Sequence, residues 1–301
     1  MKRFNRKKTV ARRQKADGCH MPFGLFKQRK IQIILLIIFV LSAIVSIVNW
    51  GLGLRDDIAL KKQQIVLQED MQMAEEETTE SNSVTEPVML SAYKAMFEQN
   101  EDFAGWLKIE DTMIDYPVMQ CLEDENYYLR RDFYKKENKN GCLILDNDSN
   151  AGVGVREENY ANGSKPSTNL IIHGHTMKSG EMFGKLKLYE DKEYGLSHKI
   201  VCFDSPYEKR QYELIAVFYS QVYYKSDKVF KYYKFFQADT QEEFDDWYKN
   251  IKELSLYDTG VMAEFGDEFI TLSCCAYHVE DGRFVVVGKR VSTDTLSSVE
   301  R

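Results

Sequence analysis

One stretch of the chain is apolar without interruption. Residues 31–54 contain 24 consecutive positions without a charged side chain. A helix rises about 1.5 Å per residue, so this run can cross the roughly 30 Å hydrocarbon core of a bilayer. It exceeds the apolar region of a cleaved signal peptide, usually about 7–15 residues, and no convincing small-x-small cleavage site follows it. The pattern predicts a single transmembrane helix that is retained as an anchor.

Further along, the pattern changes to short segments rich in β-branched and aromatic residues, which predict strands. There are seven such segments: 113–119, 142–146, 168–174, 199–204, 212–219, 268–274 and 283–291. Helical spacing interrupts them at 87–100, 180–190 and 240–255. In the last of these, Thr240 as N-cap and Glu243 three residues later predict a capping box. The pattern favours a mainly β fold with inserted helices, closed or nearly closed into a β-barrel.

The segment between the anchor and the strands differs from both. Residues 55–74 have a weak helical pattern, and residues 74–87 are acidic, rich in hydroxyl groups and nearly devoid of apolar side chains. Such a composition cannot bury enough surface to offset the entropy cost of ordering. We interpret 55–87 as a helical and acidic linker, 88–291 as one folded domain, and 292–301 as a C-terminal tail.

Charge predicts the orientation of the anchor. Residues 1–30 contain eleven Lys and Arg but one acid, whereas the whole chain has a net charge of −7. Asp56 and Asp57 follow the apolar run closely. The positive-inside rule therefore places a basic tail, residues 1–30, in the cytoplasm and the chain from about residue 55 outside the cell membrane. Contact with anionic lipid explains the basic tail more simply than nucleic-acid binding does, so we expect no nucleic-acid partner.

Cysteine usage does not indicate a disulfide framework. Cys19 precedes the span, and five cysteines follow it: Cys121, Cys142, Cys202, Cys274 and Cys275. An odd number without regular spacing is not typical of paired cysteines. A metal site built on Cys274, Cys275 and His278 would lack a second ligand pair at zinc-site spacing. We expect no metal and no other cofactor, and we regard a free thiol outside the cell as a candidate nucleophile.

Three residues at predicted strand ends could make such a thiol reactive. Cys275 ends one strand-like run, Arg283 opens the next, and His175 follows a third in the glycine-containing turn of "NLIIHGHTM". A cysteine becomes nucleophilic beside a base or a cation. Each residue alone has an ordinary structural explanation: a small core side chain, a salt-bridged arginine, a hydrogen-bonded histidine. Their combination is what favours chemistry.

The motifs resemble those of the sortases, the membrane-anchored cysteine transpeptidases of Gram-positive bacteria, and in particular the class B branch. The matching segments are "TLSCC" followed by "RFVVVG", "GHTMKSGEMFGKL", "FAGWLKIEDTMIDYPVMQ", "NYYLRRDF" and "GCLILD". A helix in the connection before the cysteine strand, here 240–255, is typical of class B. The resemblance covers roughly 90–291 together with the anchor. It implies the closed sortase-type β-barrel of about eight strands with an additional N-terminal helix.

The resemblance also implies roles for particular residues. By position in the motifs, Cys275 is the nucleophile, His175 the histidine and Arg283 the arginine. The sequence departs from the family at Cys274, where threonine is usual, and two adjacent thiols could form a vicinal disulfide under oxidation. Adjacent side chains on a strand point to opposite faces, so we expect only Cys275 to face the cleft. Ser273, two positions earlier on the same face, is predicted to contact substrate.

A sortase cleaves the C-terminal sorting signal of secreted surface proteins through a cysteine thioester and transfers the acyl group to an amine of a cell-wall precursor. The resemblance implies this activity here, with the membrane contacted through residues 31–54. The sequence does not choose between signals of the Asn-Pro-Gln-Thr-Asn and Pro-Xaa-Thr-Gly types. Other readings are a pilus-assembly sortase that uses a pilin lysine, a membrane-tethered cysteine protease that uses water, and a non-enzymatic surface module.

Overall fold

The computed structural model describes residues 23–76, 87–154 and 163–291. The predicted basic tail up to residue 22, the acidic residues 77–86 and the predicted C-terminal tail 292–301 lie outside the described residues. The chain divides into two compact units, Met1–Leu52 and Gly53–Arg301.

The first unit contains the N-terminal part of helix α1 (Phe23–Glu76). From Ile31 to Leu52 its side chains are mostly apolar and almost all exposed, and the most apolar window has a mean hydropathy of 3.1 with none of it buried. An exposed apolar helix of this length is what a bilayer span requires. This helix could therefore span a membrane.

In its described residues, the second unit contains the rest of α1, three further α-helices and eight strands. The helices are α2 (Ser91–Gln99), α3 (Lys192–Ser197) and α4 (Gln241–Leu254). The strands are β1 (Phe103–Lys108), β2 (Asp115–Met119), β3 (Leu143–Leu145), β4 (Asn169–Gly174), β5 (Ile200–Asp204), β6 (Gln211–Gln221), β7 (Phe269–Cys275) and β8 (Gly282–Arg290). Short 3₁₀ helices cover Tyr127–Arg130, Leu186–Glu190 and Tyr232–Lys234.

The strands close into a barrel in the order β1-β2-β3-β4-β7-β8-β6-β5. The pairs β2–β3 and β4–β7 are parallel, and the other neighbours are antiparallel. The predicted fold class, a closed mainly β barrel of about eight strands with inserted helices, is confirmed. The hydrophobic pattern missed β1 because this strand is buried on both faces. Leu107 points into the barrel while Phe103 and Trp106 pack under the helices outside it, so no alternation shows in the sequence.

Side chains on alternate positions fill the barrel. Every strand contributes to one interior cluster, and β7 contributes Ile270, Leu272 and Cys274. The residues between them, Thr271 and Ser273, lie on the outer face. This alternation is the period of two that a pleated strand imposes.

Helix α4 covers part of the outer face. Its Thr240 Oγ1 accepts from the backbone N–H of Glu243, whose carboxylate accepts from the N–H of Thr240, so the predicted capping box is confirmed. Phe244, Trp247 and Ile251 are buried against the outer sides of β6, β7 and β8. The helix before the cysteine strand therefore covers part of the outer face of β6, β7 and β8.

The predicted helix at 180–190 is wrong in its extent. Met182 has a φ of 53°, in the left-handed region that a right-handed helix excludes. Regular structure begins later, with the 3₁₀ helix Leu186–Glu190, and α3 follows with Asp191 as its N-cap.

Within the second unit, residues 53–76 of α1 pack against the barrel. Leu60 and Leu67 are buried, and Gln64 and Gln68 donate to Asp115 at 2.6 and 2.8 Å. The segment that the sequence suggested as a linker is therefore, as far as residue 76, a helix that contributes to the hydrophobic core.

We expect Leu67→Ala to destabilise the folded domain, because it leaves a cavity at a fully buried leucine. Buried Leu→Ala changes cost about 2–5 kcal/mol. Thermal unfolding of the full chain in detergent micelles should show a lowered Tm. The matched control is Ile65→Ala, which truncates a 55 % exposed aliphatic side chain on the same helix. Equal Tm values for the two variants would show that α1 does not stabilise the barrel.

Candidate active site

The three residues singled out by the sequence lie in a row on the outer face of the barrel. Cys275 is directly paired with Arg283 in the β7–β8 ladder. In the β4–β7 ladder the last pair is Gly174 with Cys274, so His175 lies one residue beyond it, beside Cys275. Neighbouring strands are about 4.8 Å apart. Strand register alone therefore brings His175, Cys275 and Arg283 together from three segments.

The row borders an open groove of about 360 Å³. At one end the groove is lined by Arg283 and Cys275, and at the other by Asp146 and Asn147 after β3 and by Glu125. The groove crosses the ends of β3, β4, β7 and β8. It can accommodate an extended segment alongside the thiol.

The two adjacent thiols occupy different environments. Cys274 is 2 % exposed and belongs to the barrel interior, whereas Cys275 is half-buried and faces the groove. Burial raises the pKa of the Cys274 thiol to about 11. Because the thiolate is the reactive form, this shift disfavours reaction of Cys274 at neutral pH. Both thiols are free, and their opposite directions oppose a vicinal disulfide.

A backbone carbonyl orients His175. Its Nε2 lies 2.8 Å from the carbonyl oxygen of Leu129, in the 3₁₀ helix Tyr127–Arg130. A carbonyl can only accept, so Nε2 carries a hydrogen and Nδ1 is the nitrogen left for proton exchange. Gly174 lets this turn pass close to Phe183, because a Cβ at position 174 would lie 2.5 Å from the Phe183 ring. Thr176 Oγ1 donates to the carbonyl of Cys275 at 2.7 Å and fastens this turn to the end of β7.

Within the described part of the chain, the guanidinium of Arg283 forms its hydrogen bonds with its own turn. Nη1 donates to the carbonyls of Asp281 and Gly282 at 3.2 and 3.0 Å. Among the side chains that the structure describes, no carboxylate forms an ion pair with it. Its charge is therefore available to an anion that develops in the groove.

Ser273 lines the groove but is 1 % exposed, and its Oγ lies 2.8 Å from the hydroxyl of Tyr232. Burial raises the pKa of Tyr232 above its usual range. The hydroxyl of Tyr232 therefore remains protonated as a partner for Ser273. The expected substrate contact of Ser273 stays a prediction.

The other histidine of the "NLIIHGHTM" segment lies in the same groove and is paired with an acid, a pairing that the sequence did not indicate. His173 Nε2 lies 3.0 Å from Asp146 Oδ2. Burial acts to raise the pKa of Asp146, but hydrogen bonds from His173 and from the backbone N–H of Asp148 outweigh it and hold that pKa below its ordinary value. The sequence feature that could have indicated this pair is Asp146 itself, which lies at the end of a predicted strand, as His175 does.

The chain matches no protein-family model. It is 32 % identical to sortase B of Listeria monocytogenes over 196 residues, which cover 64 % of this chain and 71 % of that relative.

Solved structures share the fold. Sortase B of B. anthracis in complex with AAEK1 is 28 % identical with a TM-score of 0.59, covering 77 % of this chain and 97 % of that one. Two structures at 22 % identity superpose with TM-scores of 0.62: a Staphylococcus aureus sortase B–substrate complex and a sortase B complexed with triglycine. Each covers 79 % of this chain, and 97 % and 98 % of its own length, respectively.

Thiol labelling should distinguish the adjacent cysteines. We expect iodoacetamide to modify Cys275 at least about tenfold faster than Cys274, because burial withholds the thiolate of Cys274. Peptide mass spectrometry of the folded protein measures both rates. Cys275→Ala should remove the fast reaction and Cys274→Ala should preserve it. Fast labelling of Cys274 in the Cys275→Ala variant would contradict this assignment.

Proposed function

The chain belongs to the sortase B family, and from that membership we propose that it cleaves the sorting signal of secreted proteins through a thioester on Cys275 and transfers the acyl group to an amine of a cell-wall precursor. The observation that carries the proposal is the row His175–Cys275–Arg283 across three paired strands. The S. aureus relative solved with its substrate and the relative solved with triglycine support a peptide signal and an amine acceptor.

The first half of the reaction forms the acyl-enzyme. The sulfur of Cys275 attacks the scissile carbonyl, and the oxygen of the tetrahedral intermediate becomes an anion. The guanidinium of Arg283, directly paired with Cys275 and permanently charged, stabilises that oxyanion. Nδ1 of His175 takes up the proton that Cys275 loses as its sulfur attacks, and gives that proton to the leaving nitrogen. The C–N bond breaks and a thioester remains.

The second half reverses these roles. The acceptor amine attacks the thioester carbonyl, and Nδ1 of the now neutral His175 takes a proton from the attacking nitrogen. The C–S bond breaks, the Cys275 thiolate leaves, and a new amide is released. The hydrogen bond from Nε2 to the Leu129 carbonyl holds the imidazole in one orientation through both halves.

The location follows from the N-terminal segment. The exposed apolar part of α1, residues 31–54, serves as a single-pass anchor in the cell membrane. The excess of Lys and Arg in residues 1–30 places the N-terminus in the cytoplasm. The barrel then works outside, where exported proteins and cell-wall precursors meet.

Peptide cleavage in the presence of an added amine tests the function. The full-length enzyme in detergent is given peptides of both sorting-signal types, with and without triglycine, and products are identified by mass spectrometry. We expect a triglycine adduct from one peptide class and none from Cys275→Ala.

Arg283→Lys keeps the positive charge but loses the planar set of N–H donors of the guanidinium. We therefore expect cleavage of the sorting-signal peptide to be about 10²–10³-fold slower in this variant.

The same assay separates the alternatives. Hydrolysis that triglycine leaves unchanged would indicate a cysteine protease. An adduct formed with a pilin-derived lysine peptide but not with triglycine would indicate pilus assembly. Undiminished cleavage by Cys275→Ala would contradict the proposal.

A further inference from the structure

The groove holds a second histidine on the same face as His175. His173 lies two residues earlier on β4, so the two residues are about 7 Å apart along the strand. His173 pairs in register with Ser273 on β7 and with Ile144 on β3. Its Nε2 lies 3.0 Å from Asp146 Oδ2 at the far end of the groove from Arg283.

The pair is accessible from the groove. His173 and Asp146 have side chains that are 35 % and 24 % exposed, and pairs with this much access to solvent contribute little to stability. The groove is also polarised. Its β8 end carries the guanidinium, whereas the β3 end carries the carboxylates of Asp146 and Glu125. One end therefore suits a developing oxyanion and the other suits a cation.

Transfer to an amine releases two protons. At neutral pH an alkyl amine is mostly an ammonium ion, and it must lose a proton before its nitrogen can attack. His175 takes a second proton, the one released as the new amide forms. A base near the thioester that takes the first proton from a bound ammonium would let the enzyme use the charged form, which is the abundant one.

We propose that Asp146 and His173 form the acceptor site, where the Asp146 carboxylate binds the incoming primary ammonium and the imidazole of His173 removes its first proton. The ammonium becomes a free amine and His173 becomes an imidazolium, which returns the proton to solvent after transfer. The amine then attacks the thioester, and its next proton passes to His175. This inference rests on the proposed function and extends it to the amine substrate.

The charges around His173 are compatible with this role. Those that face the groove or lie beside the pair are Asp146 after β3, Glu125 before the 3₁₀ helix, His175 after β4, Cys275 on β7, Arg283 on β8, and Lys234, which lies 3.8 Å from Asp148. Of the two cations, Arg283 lies at the other end of the groove and Lys234 lies beside Asp148. Asp146 is therefore the charge in hydrogen-bond contact with the imidazole.

The test separates acylation from transfer. Full-length His173→Gln and Asp146→Asn are compared with the wild type and with Asp148→Asn, a matched change at an exposed aspartate outside the groove lining. Cleavage of the sorting-signal peptide in a single turnover measures acylation, and adduct formation against triglycine concentration measures transfer.

We expect acylation within about twofold of the wild type in both variants. For transfer to triglycine, kcat/KM should fall about 10–100-fold in His173→Gln, the scale of a lost general base. Asp146→Asn should act mainly by raising KM for triglycine.

The loss of transfer activity in His173→Gln should become smaller as pH rises. At higher pH more of the triglycine is already an uncharged amine, which needs no base before it attacks. Hydroxylamine, uncharged at neutral pH, should be accepted equally by wild type and variant.

Several outcomes would overturn the inference: an equal loss of acylation and transfer, unchanged transfer to triglycine, or the same deficit with hydroxylamine. Asp146→Asn, which keeps the side chain's size, provides the test if His173→Gln fails to fold. Failure of the proposed function is recognised separately. In that case the wild type forms no adduct with any amine, whatever residue 173 is.

Discussion

Strand β7 is hydrogen-bonded on both sides, parallel to β4 and antiparallel to β8, and the position of every candidate catalytic side chain depends on that double pairing. Two ladders determine which residues lie side by side, and the pleat determines which face they share. A slip of one residue would turn Cys275 into the barrel and Cys274 into the groove. The register is held by apolar residues far from the chemistry, such as Leu272 inside the barrel and Phe269 outside it. The site is therefore a consequence of core packing.

The outer face of β7 changes character along its length. At its beginning, Phe269 packs under Trp247 of α4, with ring centroids 4.7 Å apart. At its end, Cys275 is half-buried in an open groove. Ser273, hydrogen-bonded to Tyr232, lies between the two. The helix inserted before β7 thus covers the first part of the strand and leaves the last residue accessible, which is what a nucleophile requires.

Sequence patterns predicted the parts of the fold that follow a simple period. Strands such as β7 and β8 have one face in the barrel and a recognisable run of β-branched residues, and α4 has a capping box that depends on two nearby residues. The pattern failed at β1, whose two buried faces remove the alternation, and at 180–190, where the left-handed Met182 interrupts the helix. The failure at β1 comes from tertiary packing, which a local pattern does not encode.

The same distinction holds at the site. Motif order identified Cys275, His175 and Arg283 because each lies at a strand end. It could not reveal the Leu129 carbonyl, since a backbone acceptor leaves no trace in the sequence, nor the pairing of His173 with Asp146, which needs β3 and β4 to be neighbours.

The departure at Cys274 shows how the fold tolerates a second thiol beside a candidate nucleophile. In a solvated turn, two adjacent cysteines would compete for the same electrophile and could oxidise to a disulfide. Here the strand separates their directions, and the interior treats Cys274 as a small apolar side chain packed among Leu272, Phe284 and other core residues. Burial raises the pKa of its thiol to about 11, so it stays neutral where Cys275 must react. Selectivity between two chemically identical groups thus arises from the pleat of one strand and the burial of Cys274 inside the barrel.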